Sequence, residues 1–195
     1  MSASRVSEVR AEVLLTELLV AQGWDTRRPP SGEMLRQHEY KDHAHLRDVF
    51  LRRSKVTKIG HGLPEAVLVD QSLQPLLVVE AKASVDDLDK AVADATLVYG
   101  NACIDAGYSP LAVALAGTSE DDFAVRVFKW NGREWQTVTY EGEPLGWIPN
   151  RKDVDTLRTP STAPELRPSI PSPEVLAGYA DEINGLIRES SSKDR

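Results

Sequence analysis

The sequence predicts an α/β fold, a mixed central β-sheet flanked by helices. Three observations carry that prediction. Residues 62–70 and 75–82 are two short runs rich in Val and Leu, joined by a polar connection at 71–74, the pattern of an antiparallel hairpin. Both runs are apolar at nearly every position, which places the hairpin in the middle of a sheet with both faces covered. Helical apolar periods precede it over 5–22 and follow it over 84–106, and a further apolar run comes at 110–116.

The elements follow in order. Over 5–22, Val6, Val9, Val13 and Val20 join Leu14, Leu15, Leu18 and Leu19 in a broad apolar face; Ser4 or Ser7 can cap the start, Gly23 ends it, and Trp24 packs back. Pro29, Pro30, Ser31 and Gly32 break the chain, and a polar stretch reads as helical from about Glu33. Residues 55–59 alternate like a strand leading into Gly60, His61 and Gly62, where glycine lets a backbone approach a ligand closely. Ser84 opens a helix to about Ala106, with Leu88, Ala91, Val92, Ala95, Val98, Tyr99 and Ala102 inward, and Gly107 closes it. Residues 110–116 form a buried strand and 123–128 a half-exposed one; Asn131-Gly132 turns into a strand over 135–140. From 149 the composition shifts to Pro, Ser and Thr, so 1–148 is one domain and 149–172 a linker. Residues 173–195 carry an amphipathic helix on Leu176, Tyr179, Ile183 and Ile187, with Pro173 at its first position.

The hairpin concentrates the chemistry. Symmetric closure pairs Asp70 with Pro75 and puts Glu65 opposite Glu80, with Cβ atoms about 5 Å apart on one face. Two carboxylates at that distance repel by about 3 kcal/mol at an effective dielectric near 20. A positive partner is therefore expected between them. Lys82 lies on the same face, one step on, and acids gathered this way are oxygen ligands for a hard divalent cation. The plain alternative is a Glu65–Lys82 ion pair at the sheet's edge, with Glu80 in solvent.

A net charge of −7 argues at first against a polyanionic partner, but the charge is unevenly spread. Residues 27–58 carry +5, leaving −12 elsewhere. Arg36, Lys41, Arg47, Arg52, Arg53, Lys55 and Lys58 are the candidates for phosphate contacts, against the bland reading of a solvated surface. Cys103 is the single cysteine, which excludes an internal disulfide and any cysteine-based zinc cluster. His38, His43, His45 and His61 lack the spacing of a zinc site. No apolar stretch is long enough to span a bilayer and no signal peptide precedes the first helix, so a cytoplasmic protein is expected. Phosphate loops and nucleophile elbows do not occur.

Pro64-Glu65 followed by Glu80-Ala81-Lys82 resembles the PD-(D/E)xK nuclease signature, with Glu where the family usually has its first Asp. Residues 60–82 resemble the version found at the N-termini of type I restriction subunits and of single-chain, type IIG-like restriction-modification enzymes. Glu12, followed eleven residues later by Gly23 and then Trp24, is similar to the opening helix of those domains. Their later helix often carries a Gln four residues before a Tyr; Tyr99 is present here, and Ala95 occupies the Gln position. Residues 176–184 and 193–195 resemble the junction before adenine-N6 DNA methyltransferase domains.

The resemblance implies a PD-(D/E)xK restriction-endonuclease-like core and a Mg²⁺- or Mn²⁺-dependent endodeoxyribonuclease acting in phage defence. Glu65, Glu80 and Lys82 would be catalytic. Glu65, Glu80, the Ala81 carbonyl and Glu12 would hold the metal, and double-stranded DNA would lie on the basic segment. It further implies a covalently linked DNA methyltransferase, this chain being an N-terminal piece of a larger protein. The competing reading is a catalytically inactive nuclease-like domain that docks DNA or braces a methyltransferase.

Overall fold

A computed structural model describes residues 3–37, 39–52, 56–57 and 60–158. They belong to one compact unit, Met1–Pro164; the second unit, Glu165–Arg195, lies outside the described residues, and with it the helix expected over 173–195. In chain order come α1 (Ala3–Ala21), β1 (Met34–Arg36), a 3-10 turn (Glu39–Asp42), α2 (Ala44–Arg52), β2 (Val56–Thr57), β3 (Gly60–His61), β4 (Ala66–Val69) and β5 (Pro75–Lys82). A 3-10 turn (Val85–Asp87), α3 (Leu88–Ala93), a π turn (Asp94–Gly100) and α4 (Asn101–Asp105) cross to β6 (Leu111–Ser119). β7 (Asp122–Trp130), β8 (Trp135–Thr137), β9 (Thr139–Tyr140), β10 (Glu143–Pro144) and α5 (Val154–Arg158) complete it.

Six strands form one mixed sheet in the order β1-β4-β5-β6-β7-β8. β5 and β6 run parallel, which requires the helical crossover between them; the other neighbours are antiparallel. The centre is apolar on both faces as expected: every residue of β4 is fully buried, as is β6 from Leu111 to Ala116. Leu35, Val67 and Val78 pack on one face with Tyr40, Phe50 and Tyr99 in a single core cluster, and Phe50 meets Tyr99 edge-on at 6.4 Å. Glu80 and Lys82 alternate with Val78 and so share that face. No helix among the described residues is long and apolar enough to cross a membrane.

Several expectations are corrected. α1 buries Ala11, Leu14, Leu15 and Leu19, whereas Val9, Val13 and Val20 are about half exposed. At about 100° per residue the three valines point directly away from Ala11, so the broad apolar face is two faces and one of them looks outward. Gly23, at φ +80°, ends the helix, and Trp24 does fold back, its N–H donating to the Leu19 carbonyl. The stretch read as helical from Glu33 instead gives edge strand β1, paired antiparallel with β4. Of the strand expected over 55–59, Val56 and Thr57 form β2, paired antiparallel with β3 through Val56–His61 and Thr57–Gly60, and residues 55, 58 and 59 lie outside the described region.

In the central hairpin, Val69 rather than Asp70 pairs with Pro75, and a bulge separates that pair from Leu68–Leu77. Pro75 has no N–H for the ladder, and the bulge accommodates it at the strand's first residue. The Asp70 carboxylate closes the loop by accepting from the Ser72 and Gln74 amides at 2.8 and 2.9 Å. Beyond the bulge Ala66 pairs with Val79, so Glu65 is next in line with Glu80.

The helix expected over 84–106 is interrupted by the π turn, and the strand over 135–140 divides into β8 and β9. Residues 149–158, expected as the start of the linker, instead pack on the domain. Pro149 accepts from the Trp24 indole at 2.9 Å, Arg151 Nε bonds Glu33 Oε1, and Val154 and Leu157 of α5 are buried. These contacts hold the chain on the domain through α5, while residues 159–172 lie outside the described region.

Candidate functional site

The site lies where β4 and β5 leave their ladder beside α1. Glu65 ends the loop before β4, Glu80 and Lys82 close β5, and α1 supplies Glu12. They line a cleft of about 840 Å³ with Glu8, Gln37, Ala81, Asp87 and Lys90 among its walls. Its lining includes five carboxylates and two lysines, an excess of acid that a divalent cation would offset.

Glu65 accepts from Gln37 Nε2 at 2.7 Å through Oε2. Burial pushes its carboxyl up to about 7, the Gln37 bond opposes that, and the charges of Glu12 and Glu80 add to it. Glu12 of α1 and Glu65 line the same cleft, so the helix acid and the hairpin acid are neighbours.

Glu80 is 6% exposed, and Lys82 Nζ contacts its Oε1 while standing 3.3 Å from Asp94 Oδ2. Burial works against the charge of Lys82, but Glu80 and Asp94 outweigh it and its pKa is raised. Lys82 is therefore an ammonium at neutral pH and a poor proton acceptor. The alternative of a Glu65–Lys82 pair with Glu80 in solvent is not the arrangement adopted, since the lysine turns to Glu80 and Asp94. Behind them, burial first and the neighbouring acids second raise the Tyr99 hydroxyl. The Tyr40 hydroxyl is buried with no hydrogen-bond partner among the described residues.

Of the residues expected to contact phosphate, the side chains of Arg36 and Arg47 are among those described. Arg36 borders a hollow of about 170 Å³ with Glu12, Gln37 and Glu65, its guanidinium donating to Thr16 Oγ1 at 3.0 Å. Arg47 is exposed on α2, 4.0 Å from Asp48. The side chains of Lys41 and Arg52, and residues Arg53, Lys55 and Lys58, lie outside the described region.

Carboxylates and a backbone carbonyl are the oxygen donors that Mg²⁺ and Mn²⁺ prefer, and Glu65, Glu80, Ala81 and Glu12 line one cleft. The donor set fits such an ion chemically. Among the described residues no three acidic, His or Cys side chains already converge on one point. Gln37 engages Glu65 and Lys82 engages Glu80, so ligation requires these side chains to turn.

Two residues that contact the candidate site residues, Gln37 on Glu65 and Asp94 on Lys82, were not visible in the sequence. Gln37 was hidden because Met34–Arg36 is too short a run to read as a strand. Asp94 was hidden because a π turn has no sequence signature, and a regular helix points Ala95 where the acid is needed. No protein-family model, curated protein or solved structure matches the chain.

Proposed function

We propose that this chain is a metal-dependent endodeoxyribonuclease domain of a restriction-modification protein, with a PD-(D/E)xK core. The observation that carries the reading is the register that brings Glu65 into line with Glu80, with Lys82 two residues on and Glu12 lining the same cleft. The order of helix, hairpin, crossing helix and parallel strand around these residues supports it, as does the resemblance of residues 60–82. Glu65, Glu80, the Ala81 carbonyl and Glu12 would hold Mg²⁺ or Mn²⁺. Such an ion, when bound, polarises a phosphoryl oxygen and acidifies water.

The chain's own residues have separable tasks. Lys82, protonated and held by two carboxylates, stabilises charge growing on the phosphate oxygens. Glu65 must release its proton before it can ligate, and Gln37 favours that release. Arg36, exposed beside the cleft, positions the DNA backbone without reading sequence. A covalently linked methyltransferase and a phage-defence role belong to the same proposal.

The closed Lys82–Glu80–Asp94 network favours a second reading, a catalytically inactive domain that docks DNA. Nicking of supercoiled plasmid in Mg²⁺ or Mn²⁺ separates the two. Activity that is lost in Lys82→Ala, with the melting transition retained, is the expected result. Full nicking by that variant overturns the assignment, and salt-sensitive, metal-independent DNA binding with no cleavage favours docking.

A further inference from the structure

Lys82 is shared. Its ammonium contacts Glu80 Oε1 and lies 3.3 Å from Asp94 Oδ2, the lysine side chain being 20% exposed and each carboxylate side chain 8%. A divalent cation arriving at Glu80 would compete with that ammonium for the same oxygen and repel it. A partly buried ammonium deprived of its partner is disfavoured unless another anion receives it. Asp94 is already in reach, and the four-carbon lysine stem can pivot.

The backbone supports this placement of Asp94 independently. The Asn101 N–H bonds the carbonyl of Thr96, five residues back, the mark of a π turn. Across that turn Asp94 and Tyr99, five residues apart, are both buried, while Leu97 is 61% exposed. Trp135 locks the far end. Its indole leaves no room for a Cβ at Gly100, which would meet Cζ2 at 2.5 Å, and its Nε1 donates to Asn101 Oδ1 at 2.9 Å.

We infer that Asp94 is the alternate seat of Lys82: it takes the ammonium when Glu80 turns to a metal, so that Glu80 is available to ligate while the lysine stays charged at the site. Asp94 is thus a positioning residue that acts through Lys82. The inference rests on the metal-binding reading of the same cleft.

The test is a double-mutant cycle read by calorimetric titration of Mn²⁺ into the full chain, which needs no cleavage assay. Asp94→Asn should weaken Mn²⁺ binding by about tenfold in the wild-type background, because Lys82 then has only Glu80. In Lys82→Met the same change should cost less than about twofold, since no ammonium needs a seat. Equal losses in the two backgrounds, or no loss in either, overturn the inference and leave the metal reading standing. Lys82→Met alone provides a second measurement should Asp94→Asn not fold: binding tighter than wild type is expected, and unchanged or weaker binding overturns the competition. Absence of Mn²⁺ binding in wild type overturns the metal reading and this inference together.

Discussion

Gln37 and Glu65, 28 residues apart in sequence, meet in a 2.7 Å hydrogen bond that opposes the protonation burial imposes on the acid. A carboxyl raised from 4.5 to about 7 by folding binds a proton in the native state that the unfolded chain has already released. Its contribution to stability is present below about pH 4.5 and is lost as pH rises to about 7. The loss is roughly 3 kcal/mol at most, about 1.4 kcal/mol for each pH unit between 4.5 and 7. Chemical denaturation of wild type and Glu65→Gln from pH 4 to 8 checks this: the variant should show a flatter profile and exceed wild type at pH 8.

The same proton competes with metal. Mn²⁺ affinity should therefore rise steadily as pH passes through about 7, where Glu65 ionises, and flatten above it. Gln37→Leu removes the hydrogen bond that favours ionisation, so its affinity curve should shift to higher pH. Calorimetric titrations at a series of pH values read both, and a curve unmoved in Gln37→Leu contradicts the role given to that amide.

Gly100→Ala should destabilise the domain by about 1–3 kcal/mol, although alanine is the better helix former by about 1 kcal/mol. The added methyl meets Trp135 Cζ2 at 2.5 Å and the Ala95 carbonyl at 2.9 Å. Trp135→Ala removes the larger obstruction, so the cost of Gly100→Ala should shrink in that background. Urea denaturation of the four proteins gives the coupling directly.

A chain ending at Ile148 should be less stable than one ending at Arg158 by several kcal/mol. Burying Val154 and Leu157 is worth roughly 1.5–3 kcal/mol each. The shorter chain also loses the Trp24–Pro149 bond and the Arg151–Glu33 pair. Comparing the two melting temperatures decides where the domain ends.

On α1, Val13→Thr should change stability by no more than about 0.5 kcal/mol, whereas Leu14→Ala should cost about 2–5 kcal/mol. The two positions are adjacent in sequence and differ from 51% to 2% in exposure. Matched losses at both would mean that the outward valine face is covered in solution.

The mixed α/β class, the central doubly buried hairpin and the alignment of Glu65 with Glu80 were legible because each depends on local pattern. Continuous Val and Leu runs specify a strand covered on both faces, and alternation then dictates which side chains share one. The local miscount at Pro75 did not propagate, because the bulge restored the register before it reached the acids. Elsewhere local pattern was insufficient. Val9, Val13 and Val20 are as apolar as the leucines beside them, and only packing decides which side of α1 is inside. Three residues at Met34–Arg36 become a strand because β4 presents an edge to them, and Gln37 reaches Glu65 only as a result. Lys82 could have paired with either glutamate. A π turn held by Trp135, distant in sequence and without periodicity, brings Asp94 to it and settles the choice, because a partly buried ammonium goes where the most carboxylate is within reach.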